Sequence, residues 1–506
     1  MNKRLTSMQL FKTKSLDAIL SEGALAEHKL KRALGPLDVV ALGIGAIIGA
    51  GIFATIGTAA AGDALRPGAG PALVLSFAVT GIACGFAALC YAEFAAMVPI
   101  SGSAYTYSYS TLGELIAWII GWDLIIEYAV GNVAVAISWA NYFKTFVAGF
   151  GLSIPDWLST DYRTAARIPG LFERAPHLFG VPVVFNILSI GIVALITIIL
   201  VVGIRGSSRT NTVMVLIKLV ILGIFVAIGL KYVKPGNWKP FAPNGWAGIQ
   251  AGAAVVFFAY IGFDAVSTVA EEVRNPKRDL PIGIIVSLIV CTLVYILVAA
   301  VFTGIIPYRA LVKMLATRQA EPLTLALQYA NIEKWGNLFV GIVAFGSVVA
   351  HTAVLLVFQL GQPRIFFSMA RDGLLPKRFA AVHPRFKTPH VTTILTGVAV
   401  GVTSMFTSID EMVDLTNIGT LFAFVLVCTG ILILRRREPQ RPRAFRTPFV
   451  PLTPILGILA CIYLMTGLPA ITWLRFGGWL IIGITVYFLY GYRHSRLHSH
   501  SSGSEK

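Results

Sequence analysis

Apolar runs of about 20 residues recur along the whole chain and are separated by short polar segments. A run of this length crosses the hydrocarbon core of a bilayer as one α-helix. The pattern predicts an all-α integral membrane protein with about 12 transmembrane helices. The predicted spans lie near residues 37–61, 70–98, 113–147, 180–203, 210–231, 248–270, 281–305, 335–369, 389–407, 413–434, 451–473 and 477–493.

The distribution of positive charge predicts how the chain crosses the membrane. Lys and Arg are more numerous in the segments that face the cytoplasm when both termini are cytoplasmic. We expect a multi-pass protein of the cell membrane without a cleaved leader, because the first apolar run is longer than a signal-peptide core. The predicted organisation is a cytoplasmic tail over 1–35, a ten-helix core over 36–436, helices 11 and 12 over 437–493 and a cytoplasmic tail over 494–506.

Composition narrows the expected partners to the lipid bilayer and a small molecule. Of 506 residues, 56% are hydrophobic and 13% are charged, with a formal net charge of +17. The basic residues lie in short loops such as 435–446, which indicates membrane topology and not a nucleic acid partner. The five cysteines fall within predicted spans without metal-ligand spacing, so we expect no metal and no cofactor. Nucleophile-elbow, zinc-protease and Walker motifs are absent from the sequence, so we predict that the chain is not an enzyme.

The first span carries four glycines within the run GIGAIIGAGIF, at Gly43, Gly45, Gly49 and Gly51. Each glycine costs about 1 kcal/mol relative to alanine inside a helix, so we predict a helix break near mid-membrane. Broken backbone is tolerated there only where it is buried in protein or lines a binding cavity. The alternative is close helix packing, since Gly45 and Gly49 fit a Gly-x-x-x-Gly spacing.

A second interruption lies in span 6, where FFAYIGFDAVS places Gly262 and Asp264 in an apolar run. Breaks in spans 1 and 6, five apart, are typical of two inverted five-helix repeats with a site between them. The half-helix after the first break begins with free N–H groups near Gly49 and Gly51, which suit a carboxylate. The half-helix before the second break ends in free carbonyls around Phe257 to Ile261, which suit an ammonium group. Together they predict backbone binding of an α-amino acid.

Three ionisable residues lie deep within predicted spans, where a charge is paired or functional. Lys218, in span 5, either carries a coupling proton or acts as a static cation on the carbonyls of a broken helix. Glu127, in span 3, either serves substrate passage or proton transfer, or is a packed, protonated carboxyl; Asp123 lies one turn earlier. Asp264 is expected to support the break in span 6 by hydrogen bonding.

Other polar residues favour simpler roles. Glu93 is interpreted as a charge at the membrane interface, with an inner gate as the alternative. His351, in span 8, is expected to satisfy a helix contact, although it has the chemistry to shape a side-chain pocket. Tyr105, Tyr107 and Tyr109 are expected to form an interfacial aromatic belt.

Five strings follow one another along the chain: GIGAIIGAGIF, YAEFAAMVPISGSAYTYSY, GWDLIIEYAVGNVAVA, FFAYIGFDAVSTVAEEVRNPKRDLPIGI and GQPRIFFSMARDGLLP. From about Gly35 to Arg437, this order resembles the cationic amino acid transporter family of the amino acid, polyamine and organocation superfamily. The resemblance implies a five-plus-five inverted-repeat fold and secondary transport of amino acids by alternating access.

The resemblance also implies residue roles. Backbone of the first helix would hold the substrate carboxylate, and carbonyls of the sixth helix would hold its amino group, with Phe258 as a gate. The corresponding positions are Ile47, Ala50 and Gly51 for the carboxylate and Phe258, Ala259 and Ile261 for the amino group. Lys218 corresponds to the span 5 lysine of proton-coupled relatives, and Glu127 to a glutamate similar to one needed for transport.

We expect a proton-coupled symporter of an α-amino acid, with the proton as the coupling ion; an exchanger without net proton movement is the alternative. Twelve spans resemble the bacterial branch, whose members often take small neutral amino acids, so a cationic or a neutral substrate stays open. A channel or an intramembrane hydrolase is disfavoured, because the sequence shows neither a ring of pore residues nor a nucleophile–base pair. An accessory subunit, the oligomeric state and the role of His351 also stay open.

Overall fold

The computed structural model describes residues 11–16, 32–99, 103–203, 208–317, 321–332 and 335–499. Within these residues the fold is helical apart from one antiparallel hairpin, formed by β1, His177–Leu178, and β2, Val181–Pro182. Residues 500–506 of the predicted C-terminal tail lie outside the described residues, as does most of the predicted N-terminal tail.

Nine helices in the described ranges are long and apolar enough to cross a membrane, and three shorter apolar helices accompany them. They follow the predicted positions and are numbered span 1 to span 12 in chain order. Their bounds are Pro36–Ala61, Gly70–Met97, Glu114–Ala148, Ile187–Val202, Thr212–Tyr232, Gly245–Glu272, Pro276–Ile305, Gly336–Arg371, His390–Phe406, Ile409–Arg437, Leu452–Thr466 and Ala470–His494. Shorter connecting helices lie at Ser103–Thr111, Asp156–Ser159, Tyr162–Ala165, Leu171–Arg174, Tyr308–Thr317 and Pro322–Tyr329. The prediction of an all-α membrane protein is confirmed.

The spans pack as two related sets of five. Span 2 packs against span 7, span 3 against span 8 and span 4 against span 9, while the broken segments of spans 1 and 6 meet each other. Each partner lies five places further along the chain, as two inverted five-helix repeats require. Span 11 packs on spans 2 and 10, and span 12 on spans 3 and 10, outside this pairing.

The described parts of both chain ends lie on one side of the bundle, called here the tail side. Residues 11–16 lie against the start of span 3, where the Glu114 N–H donates to the Lys12 carbonyl at 3.1 Å. The Lys12 ammonium in turn donates to the Leu497 carbonyl at 3.2 Å. Both tails therefore meet where span 1 begins and where the even-numbered spans end.

Glu93, near the tail-side end of span 2, is completely buried, so its interpretation as an interfacial charge is wrong. Arg435 of span 10 donates to both of its carboxylate oxygens, at 2.9 and 2.8 Å. The Arg443 Nε lies 2.9 Å from Oε1, and the Thr447 N–H donates to Oε2 at 2.8 Å. The carboxylate therefore ties span 2 to the end of span 10 and to the loop that follows it.

Glu93→Gln is expected to destabilise the fold, because two guanidinium groups lose their counter-charge in a buried setting. Removal of one partner from a buried ion pair is strongly destabilising, and retained amide contacts reduce the loss to about 2 kcal/mol. The measurement is the midpoint of thermal unfolding in detergent. Glu438→Gln is the control, since it removes a more exposed pair with Arg441. Equal midpoints for the two variants would contradict a structural role for Glu93.

The aromatic belt predicted for the helix Ser103–Thr111 is also wrong. Tyr105, Tyr107 and Tyr109 are 1%, 0% and 3% exposed. The Tyr105 hydroxyl donates to the Asp372 carboxylate at 2.8 Å, and the Tyr109 hydroxyl donates to Glu114 at 2.9 Å. The helix is therefore part of the protein interior on the tail side, and its tyrosines do not face lipid headgroups.

Candidate functional site

Span 1 breaks where the glycine run predicts. The helix Pro36–Ile47 ends, residues 48–49 bend, and the second half resumes as a π-helical turn, Gly51–Thr55, before Ile56–Ala61. The Phe53 N–H donates to the Gly49 carbonyl at 3.5 Å, and this is the first backbone hydrogen bond of the second half. Since the N–H groups of the preceding residues have no helical acceptor, they point from a helix N-terminus as an anion site requires.

Lys218 holds the carbonyl end of the first half of span 1. Its side chain is fully buried, and its amine donates to the Gly45 carbonyl at 2.6 Å and to the Ile48 carbonyl at 2.9 Å. A cation at this place lies at the negative end of the helix dipole. An ammonium has three N–H donors and a neutral amine has two, so both contacts survive the loss of a proton. The contacts alone therefore fit a proton carrier and a static cation equally well.

Span 6 breaks over a longer stretch than span 1. The helix Gly245–Val256 is followed by a 3-10 turn, Phe257–Ala259, and the second half, Asp264–Glu272, is a 3-10 helix. Gly262 has φ +121°, a region that favours glycine, and a Cβ there would lie 2.7 Å from the carbonyl atoms of Ala46. The two broken segments therefore pack backbone against backbone.

The predicted substrate-binding residues come together at this contact and are closed to solvent. None of the five non-glycine members is more than 5% exposed: Ile47, Ala50, Phe258, Ala259 and Ile261. Gly49 and Gly51 are buried as well, Gly49 against Val354 of span 8. The arrangement is that of a closed site, which opens only if spans 1 and 6 separate from their neighbours.

Tyr295 of span 7, which is not among the residues predicted from the sequence, links the two breaks. Its hydroxyl lies 3.0 Å from the Ile47 carbonyl and 2.9 Å from the Ala259 carbonyl. A phenol has one hydrogen, so it donates fully to only one of these carbonyls at a time. A tyrosine in the apolar run YILVAAV carries no local signal; only its contact with both broken helices identifies it.

Span 3 contains a π-helical turn, Ile126–Val130, that the sequence did not indicate. The turn contains Glu127, whose buried carboxyl faces the carboxyl of Asp264 in span 6. The Gly262 N–H donates to the Asp264 Oδ1 at 3.2 Å, inside the break, and the Tyr128 hydroxyl lies 3.5 Å from Oδ2. Such π turns are frequent at functional sites. The structure thus brings the predicted span 3 carboxyl to the predicted break.

His351 makes helix contacts and also belongs to an aromatic cluster. Its Nδ1 lies 2.7 Å from the Ser347 carbonyl, so this nitrogen donates, and the Ser138 hydroxyl lies 2.7 Å from Nε2. The ring centroid is 5.8 Å from that of Phe53 and 5.6 Å from that of Tyr142. Three rings from spans 1, 3 and 8 therefore meet just beyond the break in span 1.

A cavity of about 490 Å³ opens on the side opposite the tail side and is called here the vestibule. Its wall is formed by the end of span 1, the loops after spans 3 and 7 and the start of span 10. Its polar lining includes Thr58, Asp63, Asn141, Arg167, Glu321 and Asp410. Tyr142 also lines it, and the Tyr142 hydroxyl donates to the Phe53 carbonyl at 2.7 Å. The aromatic cluster therefore separates the vestibule from the break.

Glu321, in the loop between spans 7 and 8, gives the vestibule a pH-dependent charge. Burial raises the pKa of Glu321 to about 6. Since the folded protein then binds this proton more tightly than the unfolded chain, the carboxyl adds stability at low pH that is lost as the pH rises to about 6. We expect Glu321→Gln to remove about 1 kcal/mol of pH-dependent free energy of unfolding. This is less than the shift in the Glu321 pKa corresponds to, because water reaches the vestibule.

The measurement for Glu321→Gln is the midpoint of thermal unfolding at several pH values. The wild-type midpoint should fall relative to that of the variant between about pH 4.5 and pH 6. Asp156→Asn is the control, because that carboxylate is 55% exposed and pairs with Lys144 at the surface. If the unfolding midpoints of the wild type and Glu321→Gln change in parallel with pH, Glu321 is not the source of the pH dependence.

Two five-helix repeats whose broken first and sixth spans meet around buried backbone are typical of secondary membrane transporters. Comparison with known proteins agrees: the model of the amino acid permease family matches residues 34–488. The chain belongs to this family, within the amino acid, polyamine and organocation superfamily.

Three similar proteins support this assignment. The chain is 45% identical to the branched-chain amino acid permease BcaP of Bacillus subtilis, over 96% of this chain and 99% of that protein. It is 44% identical, with the same coverage, to the methylthioribose transporter of the same organism. It is 35% identical to the vacuolar cationic amino acid transporter 4 of Arabidopsis thaliana, over 85% of this chain and 68% of that protein. The expected resemblance is confirmed, and these relatives are transporters and permeases, not enzymes.

Proposed function

We propose that this protein is a proton-coupled symporter that carries an α-amino acid by alternating access. The observation that carries the proposal is the direct meeting of two half-helix ends of opposite polarity. The N–H end of the second half of span 1 lies at Gly51, in contact with the carbonyl end of span 6 at Ala259. Amino acids carry their carboxylate and ammonium one carbon apart, which matches two such ends in contact.

In this proposal the backbone N–H groups around Ile47, Gly49, Ala50 and Gly51 bind the carboxylate. The carbonyls of Phe258, Ala259 and Ile261 bind the ammonium group, and Phe258 acts as a gate. Among the described residues, Tyr295 donates to the Ala259 carbonyl, while no side chain donates to the carbonyls of Phe258 or Ile261. An ammonium group placed there would supply N–H donors to these buried carbonyls.

Proton coupling is proposed to use Lys218 and Glu127. Lys218 contacts the two carbonyls that end the first half of span 1, so a change in its charge changes its attraction to that helix end. Glu127 faces Asp264 at the other break, and its Oε2 has no partner among the described protein atoms. Asp264 is proposed to support the break through the Gly262 N–H.

The proposed orientation places the tail side in the cytoplasm and the vestibule outside the cell. It rests on the excess of Lys and Arg in the segments that would then be cytoplasmic. Loops on the tail side include 435–446, whose arginines suit an anionic lipid surface. With this orientation, the substrate enters through the vestibule and passes the aromatic cluster before it reaches the break.

The backbone groups proposed to bind the carboxylate and the ammonium are called here the clamp. They do not determine which substrate side chain is preferred. BcaP suggests branched-chain amino acids, and the Arabidopsis relative suggests cationic ones. Methylthioribose, named for the second bacterial relative, carries neither an α-carboxylate nor an α-ammonium group, so the clamp favours an amino acid over it. We propose a neutral or cationic α-amino acid as the substrate.

The test uses the purified protein in proteoliposomes. A competition panel of the twenty amino acids and methylthioribose against labelled leucine identifies the substrate. Uptake into empty vesicles with an acidic exterior, compared with uptake at equal pH, tests proton coupling. Accumulation in empty vesicles that requires the pH gradient supports symport. Uptake only into amino acid-loaded vesicles, with no effect of pH, supports the exchanger instead.

A further inference from the structure

We propose that a chain of internal water molecules runs from Asp264 and Glu127 to the tail side, past the hydroxyls of Tyr91 and Tyr107, and conducts the transported proton. Tyr91 belongs to span 2, and Tyr107 to the helix Ser103–Thr111. The inference rests on the proton coupling proposed above and adds its route. It also gives a role to two tyrosines that neither the site nor the fold required.

The first observation is that the hydroxyls of Tyr91 and Tyr107 have no hydrogen-bond partner among the described protein atoms. Both side chains are at most 1% exposed. A buried tyrosine hydroxyl normally finds a partner, and an orphaned one needs an explanation such as a bound water. The seven other buried tyrosines in the described ranges all donate to a protein acceptor: Tyr105, Tyr109, Tyr128, Tyr142, Tyr260, Tyr295 and Tyr487.

The second observation is that the two tyrosines are neighbours and lie near the buried carboxyls. The rings of Tyr91 and Tyr107 meet edge to face with centroids 6.3 Å apart. The Tyr107 hydroxyl faces that of Ser267, and the Ser267 hydroxyl donates to the Asp264 carbonyl at 2.6 Å. The Tyr91 hydroxyl interacts electrostatically with both Asp264 and Glu127. A line of polar atoms therefore leaves the break in the direction of the tail side.

The line extends at both ends. Beyond Glu127, the Thr420 hydroxyl of span 10 faces the carboxyl and also has no partner among the described protein atoms. On the tail side, the helix Ser103–Thr111 packs on the 3-10 half of span 6, whose last turn contains the half-buried Glu271. Arg364 of span 8 interacts electrostatically with Glu272 and Glu271 at that end. The charged groups along the route are thus Glu127, Asp264, Glu271 and Arg364.

A buried water molecule needs two to four polar partners, and the hydroxyls and carboxyls named above supply such partners. In the proposed step, an O–H bond of a Glu127 or Asp264 carboxyl breaks as a water accepts its proton. Each water or phenol that accepts a proton on one side releases another on the other side. The last water releases a proton to solvent on the tail side, and the carboxylate that remains binds the next proton from the other side.

Radiolytic footprinting of the purified protein tests the presence of the water without any variant. X-ray pulses convert ordered water into hydroxyl radicals that oxidise the side chains beside it. We expect Tyr91 and Tyr107 to be oxidised about fivefold faster than Tyr260 and Tyr295, which are equally buried but bonded to carbonyls. Equal, low rates for all four tyrosines would overturn the water chain.

The double variant Tyr91→Phe and Tyr107→Phe tests the function of the route. It removes two hydroxyls and keeps the ring contacts, including the stack of Tyr107 on Phe94 at 5.0 Å. Proton-driven accumulation in empty proteoliposomes should fall about a hundredfold, the lower end of the effect that loss of a proton-transfer group has, while exchange into loaded vesicles continues. Tyr463→Phe is the control, since its unpartnered hydroxyl lies in span 11, away from the carboxyls.

The outcomes separate this inference from the proposed function. Exchange by the double variant shows that it is folded, and full proton-driven accumulation by it would overturn the route alone. A wild type that exchanges amino acids but never responds to a pH gradient would overturn proton coupling and the route together. A wild type that transports no amino acid would overturn the proposed function.

Discussion

Lys218→Ala is expected to abolish proton-driven accumulation of amino acid while the protein still folds. The substitution removes the donor to the Gly45 and Ile48 carbonyls, which end the first half of span 1. With no group there that can gain or lose a proton, the position of this half-helix no longer depends on protonation. Two carbonyls lose their donor, so we also expect about 2 kcal/mol of destabilisation, visible as a lower unfolding midpoint. Uptake into empty proteoliposomes with an acidic exterior is the measurement.

Lys218→Arg separates the two roles that the contacts leave open. A guanidinium group donates to carbonyls as an ammonium does but does not lose its proton in proteins. If Lys218 carries the proton, the arginine variant exchanges amino acids but does not accumulate them. If Lys218 is a static cation, the arginine variant retains coupling. Unchanged pH dependence in Lys218→Ala would remove this residue from the coupling role altogether.

The breaks in the two spans were predictable because their cause is local. Glycine is costly in a helix, and four glycines within nine positions mark span 1 whatever surrounds it. The spacing of five spans then relates the break to the one in span 6. Lys218 was predictable for a similar reason, since a lysine in an apolar run has to find partners within the protein. The structure supplies those partners, the Gly45 and Ile48 carbonyls.

The residues that sequence reasoning missed or misplaced depend on contacts between distant parts of the chain. Glu93 meets Arg435, which is 342 positions away, so an apparently interfacial charge is a buried one. Tyr295 is marked only by its distances to Ile47 and Ala259. The π turn around Glu127 has no sequence signature. Periodicity records which residues are apolar, but not which polar group of another span comes to face them.

Gly51→Val is expected to abolish substrate binding, and the reason is steric. A Cβ at position 51 would lie 2.1 Å from the Cα of Ala259 and 2.6 Å from its backbone nitrogen. These are backbone atoms, so no side-chain rotation relieves the overlap, and even alanine forces spans 1 and 6 apart. The N–H groups proposed for the carboxylate and the carbonyls proposed for the ammonium would then no longer fit one amino acid. Since a displacement of about 1 Å costs about a hundredfold in a positioned site, we expect affinity to fall at least that much.

The measurement for Gly51→Val is substrate affinity by calorimetry on detergent-purified protein, with the unfolding midpoint recorded in parallel. Gly223→Val in span 5 is the matched control, because a Cβ there meets no atom within 4 Å. The control variant should bind as the wild type does. Normal affinity in a folded Gly51→Val protein would contradict the carboxylate assignment. The proposed clamp requires the two backbones to be in contact, and glycine is the residue type that allows this approach.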